Sequence, residues 1–283
     1  MKRWLMGLFC VLMACATWAE SPAEVRKQAE ASMLVTGSIE VMPDGSVQGY
    51  TLDHADQLPP IVVQILQQNV PTWKFKFDDQ QTVAVKAKMS LRLLAKRVDD
   101  THDAISISAA QFGQDDKVPG ESISYKTRLP PRYPGLALHS GVSGTVYLLL
   151  RVGRDGRVED AAAEQVNLTV YASGRDMQLF RDNLARAAIT AAREWTFNTP
   201  TIGKHVADDY WVAKVPVNFD IRPRGTYKDV PYGRWQSYVP GPRQLVPWVE
   251  KKKLLTGAAD AVPDGGLYQI NQGLQLTTPL SGA

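Results

Sequence analysis

Cysteine is nearly absent from this chain, which excludes one common means of stabilising a secreted protein. The 283 residues include two cysteines, Cys10 and Cys15, and both lie close to the N-terminus. Removal of an N-terminal leader that contains them would leave no cysteine, so no disulfide could form even in an oxidising compartment. The fold must then be stabilised by a buried apolar core.

Histidine and recognisable catalytic motifs are also scarce. The four histidines are widely separated and lack the spacing of metal ligands. The segment 141–144 (Gly-Val-Ser-Gly) matches neither a phosphate-binding loop nor a nucleophile elbow. We therefore expect no catalytic residue, no metal, no cofactor and no enzymatic activity. A deep pocket in which His139 or His205 contacts a carboxylate would reopen the enzymatic alternative.

A strong charge of one sign is missing as well. The chain has 32 Lys and Arg residues against 29 Asp and Glu residues, and removal of Lys2 and Arg3 would leave 30 basic side chains. A nearly neutral chain has no electrostatic reason to bind nucleic acid or an anionic membrane surface. The sequence therefore predicts no nucleic-acid partner.

The single long apolar run follows the two basic residues at the N-terminus. It covers residues 4–16, and Thr17 and Ala19 then occupy the −3 and −1 positions of a signal-peptidase site. This pattern predicts a signal peptide over residues 1–19 and a periplasmic location.

Two alternatives keep the protein at a membrane. The apolar run is shorter than the ~20 residues that a bilayer-spanning helix usually needs, but it could be retained as an N-terminal helix. Residues 12–15 also resemble a lipobox, in which Cys15 would be lipidated and would anchor the protein to a membrane facing the periplasm.

Two segments share one pattern around an Asp-Gly pair. Aligning Asp44-Gly45 with Asp155-Gly156 places apolar residues at the same positions on both sides of the pair. The matched residues are Val35 and Val146, Ile39 and Leu150, Val41 and Val152, and Val47 and Val158. Alternating apolar residues around Asp-Gly predict a β-hairpin in each segment, with positive φ in the turn.

A helix, an aromatic strand start and a last strand are predicted after each hairpin. The predicted buried stripes are Ile61, Val62, Ile65 and Leu66 in the first helix, and Phe180, Leu184, Ala187, Ala188 and Ala191 in the second. Trp73 and Trp195 follow the helices and are predicted core residues. The order β-β-α-β predicts an α+β fold with two small modules, each an antiparallel sheet with one covering helix.

Changes in composition delimit these modules. We assign residues 33–95 to the first module and 128–221 to the second. The polar residues 96–127 predict a linker, with a short strand over 104–110 as the alternative. Residues 222–283 are rich in Pro and Gly and predict an irregular C-terminal arm, which is either disordered or extended and packed at a few points.

The second module carries an ordered series of motifs. It begins with Pro131-Arg132-Tyr133-Pro134, continues through 155–158 (Asp-Gly-Arg-Val) and 191–197 (Ala-Ala-Arg-Glu-Trp-Thr-Phe), and ends with 215–219 (Val-Pro-Val-Asn-Phe). This series resembles the C-terminal domain of TonB energy transducers. The first module resembles a degenerate copy, since it keeps Asp-Gly and Trp-Lys-Phe but has no Tyr-Pro segment.

The resemblance implies a protein-binding function. TonB C-terminal domains add an extended segment of an outer-membrane transporter as a strand to a sheet edge. The implied partner is an envelope protein, in particular a TonB-dependent outer-membrane transporter, and sheet edges also allow a dimer. The residues implied at the partner-binding edge are Pro131, Arg132, Tyr133, Pro134, Val215, Val217 and Phe219.

The chain departs from a complete transducer in its N-terminal part. Residues 20–32 alone separate the predicted leader from the first module, a reach of about 45 Å at full extension, where a transducer has a membrane helix and a long spacer. We therefore expect a periplasmic binding module that supports TonB-dependent transport. The alternative is a structural cell-envelope factor, a lipoprotein if Cys15 is modified, without a role in energy transduction.

Overall fold

The structure, a computed structural model, describes residues 20–77, 80–98, 103–114, 119–221, 231–249, 262, 266–270 and 274–280. The predicted signal peptide with Cys15 lies outside the described residues, as do parts of the predicted arm. The described residues form antiparallel sheets with a few helices, which confirms the predicted α+β class.

The first unit is a β-β-α-β arrangement with an additional strand. Its elements are β1 (Glu30–Val41), β2 (Val47–Leu52), α2 (Pro60–Asn69), β3 (Phe75–Lys76), β4 (Val85–Arg97) and β5 (Asp103–Gln114), preceded by α1 (Pro22–Lys27). The sheet order is β2-β1-β4-β5, with every neighbour antiparallel. Its core contains Trp73 and the buried side chains of α2.

The second unit repeats this order of elements. They are β6 (Ser124–Thr127), α3 (Gly135–His139), β7 (Gly144–Gly153), β8 (Val158–Leu168), α4 (Gly174–Ala192), β9 (Thr196–Asn198) and β10 (Tyr210–Phe219). The main sheet has the order β8-β7-β10, and β6 pairs with β9. Helix α4 covers one face of the sheet through the core that contains Trp195.

The two hairpin turns have the same geometry. Gly45 and Gly156 have φ of 81° and 77°, and each carbonyl accepts a 2.8 Å hydrogen bond from the N–H of Phe75 or Phe197, respectively. The preceding aspartates, unlike the glycines, do not have positive φ. The turn is therefore a type I turn followed by a left-handed glycine, and it ties each hairpin to the strand that follows its helix.

The helices bury Val62, Ile65 and Leu66 of the predicted α2 stripe, and Leu184 and Ala188 of the predicted α4 stripe. The other predicted residues of α4 (Phe180, Ala187 and Ala191) are half-buried, and its remaining buried positions are Met177 and Ala192. Trp73 and Trp195 are buried, as predicted. Ile61 is an exception: it is 47% exposed, because it lies in the first turn of α2 and faces away from the sheet. At the start of α4 the cap is Ser173, whose Oγ accepts the N–H of Asp176.

The predicted linker 96–127 is the main correction to the domain assignment. Strand β5 pairs with β4 along its length, from Ala87 opposite Gln114 to Arg97 opposite Asp103. Its Ile107, Ala109 and Phe112 are buried, which explains why this mostly polar segment forms a strand. The strand is longer than the alternative that the sequence allowed over 104–110.

Residues 20–29 are not an extended spacer. Val25 of α1 is buried in the core of the second unit, and the Gly174 N–H donates to the Glu20 carbonyl at 2.9 Å. The chain therefore crosses the second unit before it enters β1. This packing shortens the reach that the sequence allowed for this segment.

The described parts of the C-terminal arm are extended and packed on both units. The arm contains β11 (Gln236–Tyr238), β12 (Tyr268–Gln269) and β13 (Gln275–Leu276), which pair with β1, β10 and β3, respectively. Between β11 and β12, Val239 exchanges two backbone hydrogen bonds with Leu168 of β8. Of the two predicted alternatives, the packed arm applies to these residues.

Candidate partner-binding edge

Strand β10 has β7 on one side, and we call its other side the outer edge. Backbone N–H and C=O groups of successive residues in an antiparallel strand point to alternate sides. The Val212 carbonyl accepts a 2.8 Å hydrogen bond from the Ile270 N–H, so the backbone of Val212 faces the outer edge. The residues whose backbone faces the outer edge are therefore Val212, Lys214, Pro216 and Asn218.

Pro216 fits this assignment. A proline lacks an N–H, so it is tolerated in a strand where no ladder hydrogen bond is required of it. Pairing of β10 with β7 continues without a register shift from Tyr210 to Phe219. Proline at an outward position therefore leaves the β7 ladder intact.

The three residues predicted in this strand lie with their side chains in the core. Val215, Val217 and Phe219 are 0%, 2% and 3% exposed. Their backbone groups point to β7 by the same alternation. A partner at the outer edge would meet their neighbours, and the role predicted for these three residues remains a prediction.

The Pro131–Pro134 segment lies at the end of β10, so the structure brings the two predicted parts of the site together. The rings of Tyr133 and Phe219 meet edge to face at 5.4 Å, and the Tyr133 hydroxyl donates to the Val142 carbonyl. Burial raises the pKa of Tyr133, Asp220 adds to the rise, and a hydrogen bond with Ser143 opposes it. Pro134 caps α3, while Arg132 is exposed.

Part of the outer edge is occupied by the chain's own arm. Strand β12 pairs antiparallel with β10, with Gln269 opposite Ala213 and Tyr268 opposite Lys214. Among the described residues, no strand pairs with Pro216–Phe219 on this side. The corresponding last strand of the first unit, β4, is paired with β5 from Ala87 to Arg97.

The arm also covers the outer face of the second sheet, which we define as the face opposite α4. Val246 and Val249 pack there on Leu149 and Val212. The sequence predicted one covered face per sheet, whereas here both faces are covered. Alternation in β7 explains the difference, because Leu149 lies between residues that face α4.

A buried charge cluster fixes the arm on this face, and sequence analysis missed it. The Glu164 side chain is fully buried and lies 2.8 Å from Lys214 Nζ. The Arg243 Nε donates to Glu164 Oε1 at 2.7 Å. The register of β7 and β8 shifts beside Glu164, and such a bulge redirects a side chain. In the sequence, the sign of this cluster was the carboxylate of Glu164 beside the apolar residues of β8.

His205 does contact a carboxylate beside a pocket. Its Nδ1 lies 2.8 Å from Asp208 Oδ2, and its carbonyl accepts from Trp211 Nε1 at 3.0 Å. The cavity, of about 430 Å³, is lined also by Trp248 and Ile270 of the arm. None of the described lining residues is Ser, Thr or Cys. Tyr210, which carries a hydroxyl, also lines the cavity. The His205–Asp208 pair joins two residues of the short helical turn that ends at Asp208.

In the part of the chain that the structure describes, no group of three or more His, Cys, Asp or Glu side chains is placed to hold a metal ion. None of the described helices combines the length and hydrophobicity that a bilayer-spanning segment requires.

Comparison with known proteins gives two similar relatives. They are described as Protein TonB, from Xanthomonas campestris pv. campestris strains B100 and ATCC 33913. Each is 40% identical to this chain over 99 residues, which are 35% of this chain and 38% of the relative. The chain thus matches well under half the length of these relatives. No protein-family profile matches the chain, and no solved structure does. The likeness supports a TonB-like domain within this chain.

Proposed function

We propose that this protein is a periplasmic, TonB-like binding module. Its second unit, over residues 128–221, binds an extended segment of an outer-membrane transporter or another envelope protein by strand addition. The binding supports TonB-dependent transport and involves no enzymatic step. The single observation that carries the proposal is the outer edge of β10, where no described strand pairs with Pro216–Phe219.

The geometry of this edge suits an added strand. The outward Pro216 carbonyl and the outward backbone groups of Asn218 can pair with an incoming chain, and such main-chain hydrogen bonds supply affinity without a fixed sequence. Tyr133 packs on Phe219 at the end of the strand and holds it in place. The relatives named TonB lend support to this assignment over the matched region.

We infer further that the first unit is a diverged copy of the second. Its hairpin turn, helix and aromatic strand start occur in the same order, and its glycine carbonyl makes the same 2.8 Å bond to the strand after the helix. Strand β5 occupies the edge of its last strand. A partner strand therefore cannot pair with β4, because β5 fills that position, and the role of the first unit in this proposal is to support the second.

A proline at the outer edge tests the proposal. Asn218→Pro removes an outward N–H, and the loss of one edge hydrogen bond, worth about 1 kcal/mol, should weaken binding roughly fivefold or more. Binding of synthetic peptides from periplasmic segments of outer-membrane transporters would be measured by fluorescence anisotropy with the full-length protein.

The matched control is Thr145→Val. The Thr145 Oγ1 donates to Asn218 Oδ1 at 2.9 Å, so this variant loses the same side-chain contact and keeps the Asn218 N–H. It should bind the peptides as the parent does. Equal binding by Asn218→Pro and the parent, or a lack of any bound envelope peptide, would refute strand addition at this edge.

A structural envelope factor is the second candidate, and the arm favours it. Strands β11, β12 and β13 join the arm to both units, so the chain is built as one packed body. In that case deletion of residues 223–283 would abolish localisation or stability, with no dependence on any transporter.

A further inference from the structure

The cavity of about 430 Å³ beside His205 lies where the start of β10 meets the arm. Its walls come from the turn that contains His205, from the first residues of β10, and from the arm through Trp248 and Ile270. We propose that this cavity is a binding site for a small organic cation that carries a primary ammonium group on a flat apolar body. Strand addition at Pro216–Phe219 does not involve this cavity, so the two proposals stand or fall separately.

The size and the walls of the cavity suit such a ligand. Small-molecule sites commonly enclose about 300–1,000 Å³ between mostly apolar walls with a few polar groups. Tyr210, Trp211 and Trp248 give this cavity three aromatic walls, and Val212 and Ile270 add aliphatic ones. Aromatic rings also attract a cation to their faces. These walls therefore favour a ligand that is both apolar and positively charged.

The charges around the cavity also favour a cation. The carboxylates of Asp208 and Asp209 line it, and none of the described lining residues is Lys or Arg. The Asp209 side chain is 93% exposed, and its ion pair with Arg154 is 3.9 Å long. Such an exposed pair contributes little, so an ammonium group can compete for Asp209. Arg151, which stacks on an aromatic wall of the cavity, is contacted by Glu159 at 2.9 Å, and this contact offsets its charge.

His205 adds a hydrogen-bond acceptor to the cavity. Its Nδ1 lies 2.8 Å from Asp208 Oδ2, and because a carboxylate can only accept, Nδ1 carries the proton. In the neutral imidazole Nε2 is then an acceptor, and it is buried with no hydrogen-bond partner among the described residues. Buried polar groups in native proteins are nearly always paired. An N–H of a primary ammonium group supplies the missing donor, which a quaternary ammonium group lacks.

Two probes of the same shape test the preference for a cation with the full-length protein. Phenethylamine carries an ammonium group at neutral pH, whereas phenethyl alcohol has the same ring and chain without the charge. Isothermal titration calorimetry should give a Kd for the amine roughly tenfold below that for the alcohol, because charge-assisted hydrogen bonds are stronger than neutral ones. Equal affinities, or no binding of the amine, would overturn the proposal.

Two variants that each lose one negative charge test the contact with the ammonium group. Asp209→Asn removes a carboxylate that lines the cavity, and Glu194→Gln removes an exposed carboxylate just after α4 that does not line it. Asp209→Asn should weaken binding of the amine roughly threefold and leave binding of the alcohol unchanged. Glu194→Gln should bind both probes as the parent does. Equal losses in the two variants would show that the amine responds to net charge alone and would refute the site.

Indole signals of the parent protein locate the ligand without any variant. Trp211 Nε1 donates to the His205 carbonyl at 3.0 Å, so its N–H signal reports on the wall of the cavity. Trp195 Nε1 donates to the Leu129 carbonyl at 2.8 Å and serves as an internal control. In proton–nitrogen NMR spectra, phenethylamine should shift the Trp211 signal and leave the Trp195 signal in place. A shift of Trp195 as large as that of Trp211, or a shift of neither signal at saturation, would contradict binding in this cavity.

A primary ammonium group also occurs on lysine side chains, so a lysine derivative distinguishes the two sources. N-acetyl-lysine methylamide carries the ammonium group on a flexible chain without a ring. It should bind roughly tenfold more weakly than phenethylamine, because it has no ring to pack on Trp248. Binding as tight as that of phenethylamine would assign the cavity to a side chain of a protein partner and would overturn the assignment to a small organic cation.

Discussion

The contact between each hairpin turn and the strand after the helix can be tested at Gly156. This residue has φ of 77°, and a Cβ added to it would lie 2.2 Å from the Phe197 carbonyl oxygen. Gly156→Ala therefore combines two penalties. A left-handed conformation costs a non-glycine residue about 1–2 kcal/mol. The clash must also displace the backbone beside Trp195, which adds about 1–3 kcal/mol by overpacking.

Gly141→Ala is the matched control because it carries the first penalty without the second. Gly141 has φ of 64° in the same unit, and a Cβ there would have no atom within 4 Å. We expect Gly141→Ala to lower the free energy of unfolding by about 1–2 kcal/mol and Gly156→Ala to lower it by about 2–5 kcal/mol.

Urea unfolding followed by tryptophan fluorescence measures both losses. The two units can unfold separately, so the transition that includes Trp195 must be fitted by itself. If the two variants lost the same free energy to within about 0.5 kcal/mol, the backbone contact between Gly156 and Phe197 would have no energetic role and the reasoning would be wrong.

Three further predictions concern single side chains. Glu164→Gln removes the charge that Lys214 and Arg243 contact, so we expect a loss of about 3 kcal/mol in unfolding free energy and faster tryptic cleavage within 240–249. Unchanged cleavage would contradict the role of this charge cluster in fixing the arm. Ser173→Ala removes the cap of α4 and should cost about 1 kcal/mol in thermal unfolding, whereas Ser173→Asp should not. Burial raises the pKa of the Tyr125 hydroxyl above its usual value of 10.0. The stability that the neutral hydroxyl provides is therefore complete below pH 10 and is lost as the pH rises through the folded-state pKa. Tyr125→Phe should reduce the loss of unfolding free energy at alkaline pH, and an unchanged dependence of stability on pH would refute this role of Tyr125.

Local features of the fold could be predicted because their causes are adjacent in the sequence. Each Asp-Gly turn needs a left-handed glycine within a few residues of alternating apolar side chains, and both hairpins formed where this pattern occurs. The burial of Trp73 and Trp195 was predictable for the same reason, since each stands between an apolar helix face and a strand. The TonB-like series of motifs likewise needed no tertiary information.

Site residues were harder to predict because a strand carries two different faces and an edge. The sequence marks Val215, Val217 and Phe219 as apolar, and the fold uses their side chains for the core. The backbone of the intervening residues forms the outer edge, and only the register with β7 and the bond from Ile270 identify that side.

The sequence by itself determined two hairpin-helix-strand units and the family that the second resembles. The tertiary structure decided which sheet edges are occupied. Strand β5 pairs with β4, β12 covers part of β10, and Arg243 reaches Glu164 from 79 positions away along the chain. Pairing between such distant segments depends on how whole elements pack, whereas turns and helices depend on neighbours within a few residues.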